Sequence, residues 1–197
     1  MRHESTVTSL GWIPSEAIEG MMRLPIDIGL GHYDPPPPDF VDDDVVARLI
    51  ADDAIRFVNR LTAWIEVSDG EIVDAGYSGG GVVGSTTARI GPLRVTFPGV
   101  AYPVVQQSPV VEDGRARFVQ TAGGRTGAPM PRRIESPPFV RISGPTAWST
   151  LTLEIAADGT PSFELSGASP FPRQWVYDGS GDLVRKTATT DWKTWTR

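Results

Sequence analysis

Hydrophobic and polar side chains alternate along most of the chain after residue 55, which is the pattern of β-strands that bury one face. The stretches 61–67 and 148–155 show it most clearly, with an aliphatic or small side chain at every second position. Asp-Gly pairs at 69–70, 113–114 and 158–159 lie between such stretches, and Asp-Gly is a strong signal for a hairpin turn. The pattern therefore predicts about ten short strands, joined largely by hairpins, in a mostly antiparallel β protein.

A single closed barrel is the architecture that we expect from this series of strands, because regular short strands with turn signals are typical of barrels and sandwiches. We place this antiparallel β-barrel at residues 41–197, and a β-sandwich is the alternative. The barrel is similar to calycin-type carriers and to small β-barrel cyclases at the level of the fold alone. A shared fold does not define a function.

Residues 1–40 differ from the rest of the chain, and we interpret them as an acidic head followed by a proline strap, in one folding unit with the barrel. The segment 14–23 has a proline in its first turn, acids early and a base late, which predicts a short helix. Four consecutive prolines at 35–38 predict an extended spacer. A second helix is predicted near 42–53, with an aspartate cap and an amphipathic stripe. His3 is expected at a frayed terminus.

Composition excludes several classes of protein. The chain has 197 residues, of which 40% are hydrophobic and 21% are charged, and it has no cysteine. A chain of this length can bury a full core, and the absence of cysteine excludes a disulfide scaffold, a thiolate zinc site and a cysteine nucleophile. No apolar run reaches the ~18 residues of a membrane helix, and residues 1–20 do not resemble a secretory signal. We therefore expect a cytoplasmic protein that does not contact membranes.

Charge is distributed unevenly along the chain. Residues 1–53 contain eleven acidic and three basic residues, whereas residues 89–141 contain eight arginines and three acids. These regions are expected either to face each other or to leave the arginines free for an anionic ligand, because a guanidinium group suits carboxylates and phosphates. The overall charge of −6 and the lack of aromatics between the arginines argue against nucleic-acid binding.

Two glycine-rich segments are candidates for loops beside a ligand. The segment 78–86 resembles a phosphate loop in its glycine spacing but lacks the lysine, so we retain only a close approach of backbone to ligand at Gly80 and Gly81. The segment 121–133 combines glycines with Arg125 and Arg132, a combination that favours an anion site. We expect both segments to gate one pocket.

The aromatic side chains of the predicted strands are candidates for the lining of that pocket. Trp64 and Trp148 share a strand face with threonines and with Glu66 and Glu154, opposite the aliphatic face. In a barrel this face would line the lumen; in a sandwich it would be solvated or form an interface. Tyr77 is placed with this group, since large aromatics are seldom left in open solvent.

No catalytic motif stands out, so function rests on the predicted pocket. His32 beside Asp34 is a possible base with an orienting carboxylate, although sequence neighbours seldom face one target. We expect a protein that binds a small, largely apolar molecule with an anionic or polar group, without cofactor or metal. One alternative is a cofactor-free cyclase or isomerase that uses Glu66, Glu154 or Tyr77. Another is a non-catalytic interaction module, which includes a possible homodimer.

Overall fold

The structure is a computed structural model of the whole chain, and it describes residues 1–14, 23–27, 33–90, 92–127, 130–133, 135–138, 140–144, 146–168 and 173–188. Strands dominate it, in agreement with the alternation of the sequence. The helices are α1 (Leu24–Asp27) and α2 (Asp43–Ala51). The strands are β1 (Arg2–Trp12), β2 (Phe57–Ser68), β3 (Glu71–Val83), β4 (Thr86–Ile90), β5 (Leu93–Phe97), β6 (Val100–Ala101), β7 (Val105–Gln106), β8 (Val110–Glu112), β9 (Arg115–Arg125), β10 (Met130–Arg133), β11 (Val140–Ser143), β12 (Thr146–Ala156), β13 (Pro161–Ala168), β14 (Arg173–Tyr177) and β15 (Leu183–Ala188).

Two antiparallel sheets form the body of the protein. The five-stranded sheet has the order β15-β14-β1-β2-β3. The six-stranded sheet has the order β13-β12-β9-β6, and the short strands β7 and β8 pair with the same edge of β9 as β6 does, farther along it. Two small hairpins, β4-β5 and β10-β11, lie outside these sheets. All these pairings are antiparallel, as predicted.

The main core lies between the two sheets, and it is built from the aliphatic faces that the sequence pattern identified. Leu61, Ala63 and Ile65 of β2 are fully buried, as are Leu151 and Leu153 of β12. Phe118 and Ala116 of β9, Ile155 of β12, and Val7 and Val176 of the five-stranded sheet complete this cluster. Both sheets thus bury one face against a shared core, which is the arrangement of a β-sandwich.

A row of polar side chains crosses the interior beside this core. Asn59 Nδ2 donates to the carbonyl oxygen and Oγ of Ser149, at 3.0 and 2.9 Å. Gln120 Nε2 donates to Asn59 Oδ1 and to the carbonyl oxygen of Arg60, both at 2.8 Å, and Gln106 Nε2 donates to Gln120 Oε1 at 2.9 Å. Because these amides are satisfied within the protein, we interpret the row as structural.

Helix α2 covers the outer face of the five-stranded sheet. Asp42 caps it by accepting a hydrogen bond of 2.8 Å from the backbone of Val45, as the sequence predicts. Its apolar stripe packs on a second core of Leu10, Val58 and Tyr177. In the part of the chain that the structure describes, no helix is long and apolar enough to cross a membrane.

The N-terminal segment is a correction to the predicted head. Residues 2–12 form β1, which pairs with β2 on one side and β14 on the other, so His3 lies in a strand and not at a frayed terminus. The run from Val7 to Trp12 is buried throughout. The main core covers one face of β1 and α2 covers the other. The side chains on both faces are therefore apolar or small, and the segment shows no alternation of hydrophobic and polar residues. The helix predicted at 14–23 falls almost entirely outside the described residues.

The hairpin predictions are confirmed, whereas the closed barrel is not. Gly70, Gly114 and Gly159 have φ angles of 82°, 70° and 88°, and each lies in the turn between two paired strands. Among the described residues the strands form separate sheets, and the five-stranded sheet ends at β15 and β3 without joining the other. The described residues form fifteen strands where about ten were predicted, and several of the fifteen are only two to five residues long.

Candidate functional site

A cavity of about 410 Å³ opens beside β12 and β13, and it is the strongest candidate for a functional site. Its volume lies within the range of small-molecule pockets, about 300–1,000 Å³. Its lining combines carboxylates, hydroxyls, a guanidinium group and an aromatic ring. The lining residues are Thr152, Glu154, Ser162, Phe163, Glu164 and Arg185.

The register of two strands brings four of these residues together. Thr152 of β12 pairs with Glu164 of β13, and Glu154 pairs with Ser162. Residues two apart on a strand point to the same face, so these four side chains share the outer face of the six-stranded sheet. Glu154 and Glu164 are diagonal neighbours, a relationship that separates Cα atoms by roughly 7–8 Å and keeps long side chains within reach of each other.

Thr152 lines this cavity, and its buried side chain carries an unsatisfied polar atom. Its side chain is only 5% exposed, and its Oγ1 has no hydrogen-bond partner among the described residues. The neighbouring hydroxyl on the same strand face differs, because Thr150 Oγ1 lies 2.8 Å from Thr121 Oγ1. A buried hydroxyl without a partner is costly, so a group that supplies one is favoured at this position.

The charges around the cavity are only partly neutralised within the protein. Glu154 Oε1 lies 3.8 Å from Nε of Arg117. Glu164 and Arg185 line the same cavity with opposite charges, yet neither forms an ion pair with a residue that the structure describes. The cavity therefore offers a free carboxylate and a free guanidinium group that do not reach each other.

A second cavity, of about 350 Å³, lies between the start of α2 and the β14–β15 turn. Three of the four aspartates that line it are already used within the protein. Asp42 caps α2, Asp43 pairs with Arg60, and Asp178 accepts hydrogen bonds from the backbone of Ser180 and Asp182. This cavity is acidic and three of the four aspartates that line it already have partners, so we favour the first cavity as the site.

Of the residues predicted to line one pocket, Trp64 and Trp148 lie on opposite outer faces of the molecule. Both side chains point away from the core, because their strand neighbours Leu61, Ala63, Leu151 and Leu153 face inward. The expected lumen is thus wrong: the aliphatic faces, not the tryptophan faces, meet in the interior. Trp64 packs over Gly76 with the Arg2 guanidinium 4.3 Å from its ring, and Trp148 packs beside Gly123 and Gly167.

Glu66 and Glu154 are separated in the same way. Glu66 is exposed on the outer face of the five-stranded sheet, beyond Trp64. Glu154 lies on the outer face of the other sheet and lines the candidate cavity. Among the predicted site residues whose side chains the structure describes, Glu154 is the one at this cavity.

Tyr77 faces inward from β3 and serves the packing of the sheets. Its hydroxyl lies within hydrogen-bond distance of the carbonyl oxygens of Gln107 and Val119, the latter at 3.0 Å, and its one proton is donated to one of them. Burial raises the pKa of this hydroxyl. Its ring packs against Phe118, with ring centroids 5.3 Å apart.

The glycine-rich segment around Gly80 and Gly81 forms no gating loop, because β3 runs through it to Val83. Gly81 lies against Ala122 of β9, and a Cβ there would come within 2.9 Å of the Ala122 Cβ. Gly80 points to open space. Gly81 thus allows the two sheets of the protein to approach each other closely, whereas the sequence pattern predicts this close approach for a ligand.

The second predicted gate is also largely strand. Strand β9 continues to Arg125, whose side chain is exposed, and β10 begins at Met130. Arg132 lies in β10, opposite Arg141 of β11 in the backbone register of this hairpin. Arg125 is not among the described residues that line the candidate cavity, and the side chain of Arg132 lies outside the described part of the structure.

A buried ion pair was missed by the sequence reasoning. Arg56 and Asp34 have fully buried side chains, with Arg56 Nη2 2.5 Å from Asp34 Oδ1. Arg56 also donates to the carbonyl oxygens of Ser85 and Asp53, both at 2.6 Å, while Asp34 accepts from the backbone of Ile13 at 2.8 Å. The one signal in the sequence is a lone arginine within the apolar run 54–58.

Burial has the largest effect on the pKa of Asp34 in this pair. Burial raises the pKa of Asp34 from 3.8 to about 7, against the opposing attraction of Arg56. Because the pair joins the ends of β1 and α2 to β2 and to the start of β4, we interpret it as a structural clamp. His32, the base that the sequence suggested beside Asp34, lies outside the described residues.

The acidic N-terminal region forms its described ion pairs with partners outside residues 89–141. Asp39 pairs with Lys186 at 3.4 Å, Asp43 pairs with Arg60, and Asp34 pairs with Arg56. The expected pairing with the arginine-rich middle of the chain is not seen among these contacts.

Comparisons with known proteins assign no family. No family model matches the chain, and no curated protein matches it. Within the described part of the chain, no group of three or more histidine, aspartate or glutamate side chains is arranged to hold a metal ion. Function must therefore be argued from the cavity itself.

Proposed function

We propose that this protein binds a small molecule in the cavity beside β12 and β13. The observation that carries the proposal is Thr152, a residue that lines a cavity of about 410 Å³ and whose buried hydroxyl has no partner among the described residues. Phe163 supplies an apolar surface, and Arg185 and Glu164 supply charge. These groups suit a molecule with an apolar part and an anionic or polar group.

A substitution that deletes the hydroxyl and keeps the shape tests this proposal. Thr152→Val removes an unsatisfied buried group, so stability is expected to stay constant or to rise by up to about 1 kcal/mol. Ligand affinity is expected to fall by roughly threefold to tenfold, since one hydrogen bond contributes about 0.5–1.5 kcal/mol. Thr150→Val is the matched control: it breaks the bond to Thr121, so it lowers stability and leaves binding unchanged.

The measurement is a titration of ¹⁵N-labelled full-length protein with amino acids, organic acids, amines and sugars. Binding in the cavity is expected to shift the amide resonances of residues 152–154, 162–164 and 185. The proposal fails if no probe shifts these resonances. It also fails if Thr152→Val and Thr150→Val weaken binding equally.

A second candidate function is self-association through the segment 98–111. Val100, Tyr102, Val105, Val110 and Val111 are all 40–63% exposed in this segment. The segment contains no charged residue in a chain of net charge −6, so two copies can meet there without like-charge repulsion. Exposed apolar side chains grouped in this way are typical of interaction surfaces.

Sedimentation of the full chain over a range of concentrations tests this second function. Val105→Asp is expected to convert a dimer to a monomer, because it places two like charges at the contact. Val73→Asp is the control, since Val73 is equally exposed, at 63%, but lies in β3 of the other sheet. A wild-type monomer at all concentrations excludes the function, as does a dimer that Val105→Asp leaves intact.

A further inference from the structure

We infer that the ligand of the β12–β13 cavity is a zwitterion of the amino-acid class, with an ammonium group, a carboxylate and an apolar side chain. This inference rests on the proposed function, because it specifies the chemistry of the molecule bound in that cavity. It depends on how the charges of the lining residues are arranged.

The two charged groups of the cavity that form no ion pair with a described residue are opposite in sign. Glu164 and Arg185 both line it, and they are not within ion-pair distance of each other. A ligand with a single charge leaves one of these groups unmatched. A ligand with an ammonium group at one end and a carboxylate at the other satisfies both, and a guanidinium group binds a carboxylate through two parallel hydrogen bonds.

The remaining lining groups determine where each end of the ligand lies. Glu154 and Glu164 are diagonal neighbours on one face and both line the cavity, so the ammonium group has two carboxylates in reach. Arg185 comes from β15 of the other sheet, so it approaches the cavity from a different element. Phe163, which is half-buried and packs on the core, offers an apolar surface for the side chain of the ligand.

Three related probes separate the contributions of the two charges. L-Leucine carries both charges, leucinamide lacks the carboxylate, and N-acetyl-L-leucine lacks the ammonium group. Each is titrated into full-length protein, with the amide resonances of residues 152–154, 162–164 and 185 as the readout. Leucine is expected to bind roughly tenfold or more tightly than either analogue, because each loses charge-assisted hydrogen bonds.

Charge-neutralising variants assign each end of the ligand. Arg185→Gln is expected to weaken leucine binding about tenfold and to leave leucinamide unchanged. Glu164→Gln is expected to weaken leucine binding to a similar extent and to leave the binding of N-acetyl-L-leucine unchanged. Glu71→Gln and Arg94→Gln are the matched controls, because both residues are exposed and lie outside the cavity.

The possible outcomes separate this inference from the proposed function. If leucinamide or N-acetyl-L-leucine binds as tightly as leucine, the zwitterion is wrong and the proposed function stands. If only sugars or other uncharged probes shift the cavity resonances, the result is the same. If no probe of any class shifts them, both fail. Loss of leucine binding in the Glu71→Gln or Arg94→Gln controls also overturns the inference, because the effect would then be one of overall charge.

Discussion

Gln120 of β9 occupies the space that a side chain at Gly79 of β3 would need. A Cβ at Gly79 would overlap Oε1 of Gln120 and would lie 2.5 Å from the carbonyl oxygen of Arg60. Gln120 cannot easily move away, because its Nε2 donates hydrogen bonds of 2.8 Å to Asn59 Oδ1 and to that same carbonyl oxygen. The glycine-rich run of β3 therefore makes room for the polar row between the sheets.

Gly79→Ala is expected to lower the free energy of unfolding by about 1–3 kcal/mol, because it overpacks this contact. Gly80→Ala is the matched control on the same strand, since a Cβ there meets nothing within 4 Å. It is expected to be neutral or to stabilise by up to about 1 kcal/mol, because alanine reduces the entropy of the unfolded chain. Urea denaturation measures both. Equal effects of the two variants would contradict the packing role of Gly79.

Removal of the buried cation at Arg56 is expected to be among the most destabilising single changes. At pH 8, Arg56→Met leaves the Asp34 carboxylate buried without its partner and deprives the Ser85 and Asp53 carbonyls of a donor. The expected loss of unfolding free energy is about 3–5 kcal/mol. Arg60→Gln removes an exposed ion pair with Asp43 and is expected to cost at most about 1 kcal/mol. If Arg56→Met lowers the free energy of unfolding by less than about 1 kcal/mol, the Arg56–Asp34 pair is not a structural clamp.

Asp34 is expected to make stability depend on pH. Burial raises its pKa from 3.8 to about 7, so between these values the folded protein holds a proton that the unfolded chain has released. The contribution of Asp34 to the free energy of unfolding therefore falls as pH rises through this window, and it is constant above it. Asp34→Asn lacks this titration. The stability of the wild type relative to Asp34→Asn should decrease from pH 4 to pH 7, as measured by denaturation at each pH. A constant or rising difference would refute the raised pKa.

The β2–β3 and β12–β13 hairpin turns are expected to differ in how much stability they lose when their glycine is replaced by alanine. Gly70 and Gly159 both have positive φ, so Gly70→Ala is expected to cost about 1–2 kcal/mol of backbone strain. Gly159→Ala is expected to cost more, because its Cβ would overlap the imidazole ring of His3 whereas Gly70 has open space.

The extra cost at Gly159 is expected to disappear in a His3→Ala background, where the two glycine substitutions should become equivalent. Thermal or urea denaturation of the single and double variants measures this coupling. If the penalty at Gly159 persists without His3, the contact between β1 and the β12–β13 turn is not its cause.

Local signals in the sequence were sufficient to predict several strands and turns that the structure contains. The alternation in 61–67 and 148–155 identified β2, β12 and their buried faces, and the Asp-Gly pairs identified three hairpins. These features depend on neighbouring residues, so a short window contains the whole signal. Strand β1 was missed for the same reason: both of its faces are buried, so Val7 to Trp12 show no period of two.

The sequence by itself therefore determined the class of secondary structure, the turn residues and which side of each strand is apolar. Only the tertiary structure decided which apolar faces meet, and this placed Trp64 and Trp148 on opposite outer faces. It also decided that Arg56 meets Asp34, 22 residues away, and that Arg185 lines a cavity with Glu164 of another sheet. Alternation with a period of two shows which side of its strand a side chain faces. It contains no information about which strand packs against that side. That choice depends on the packing of the whole chain.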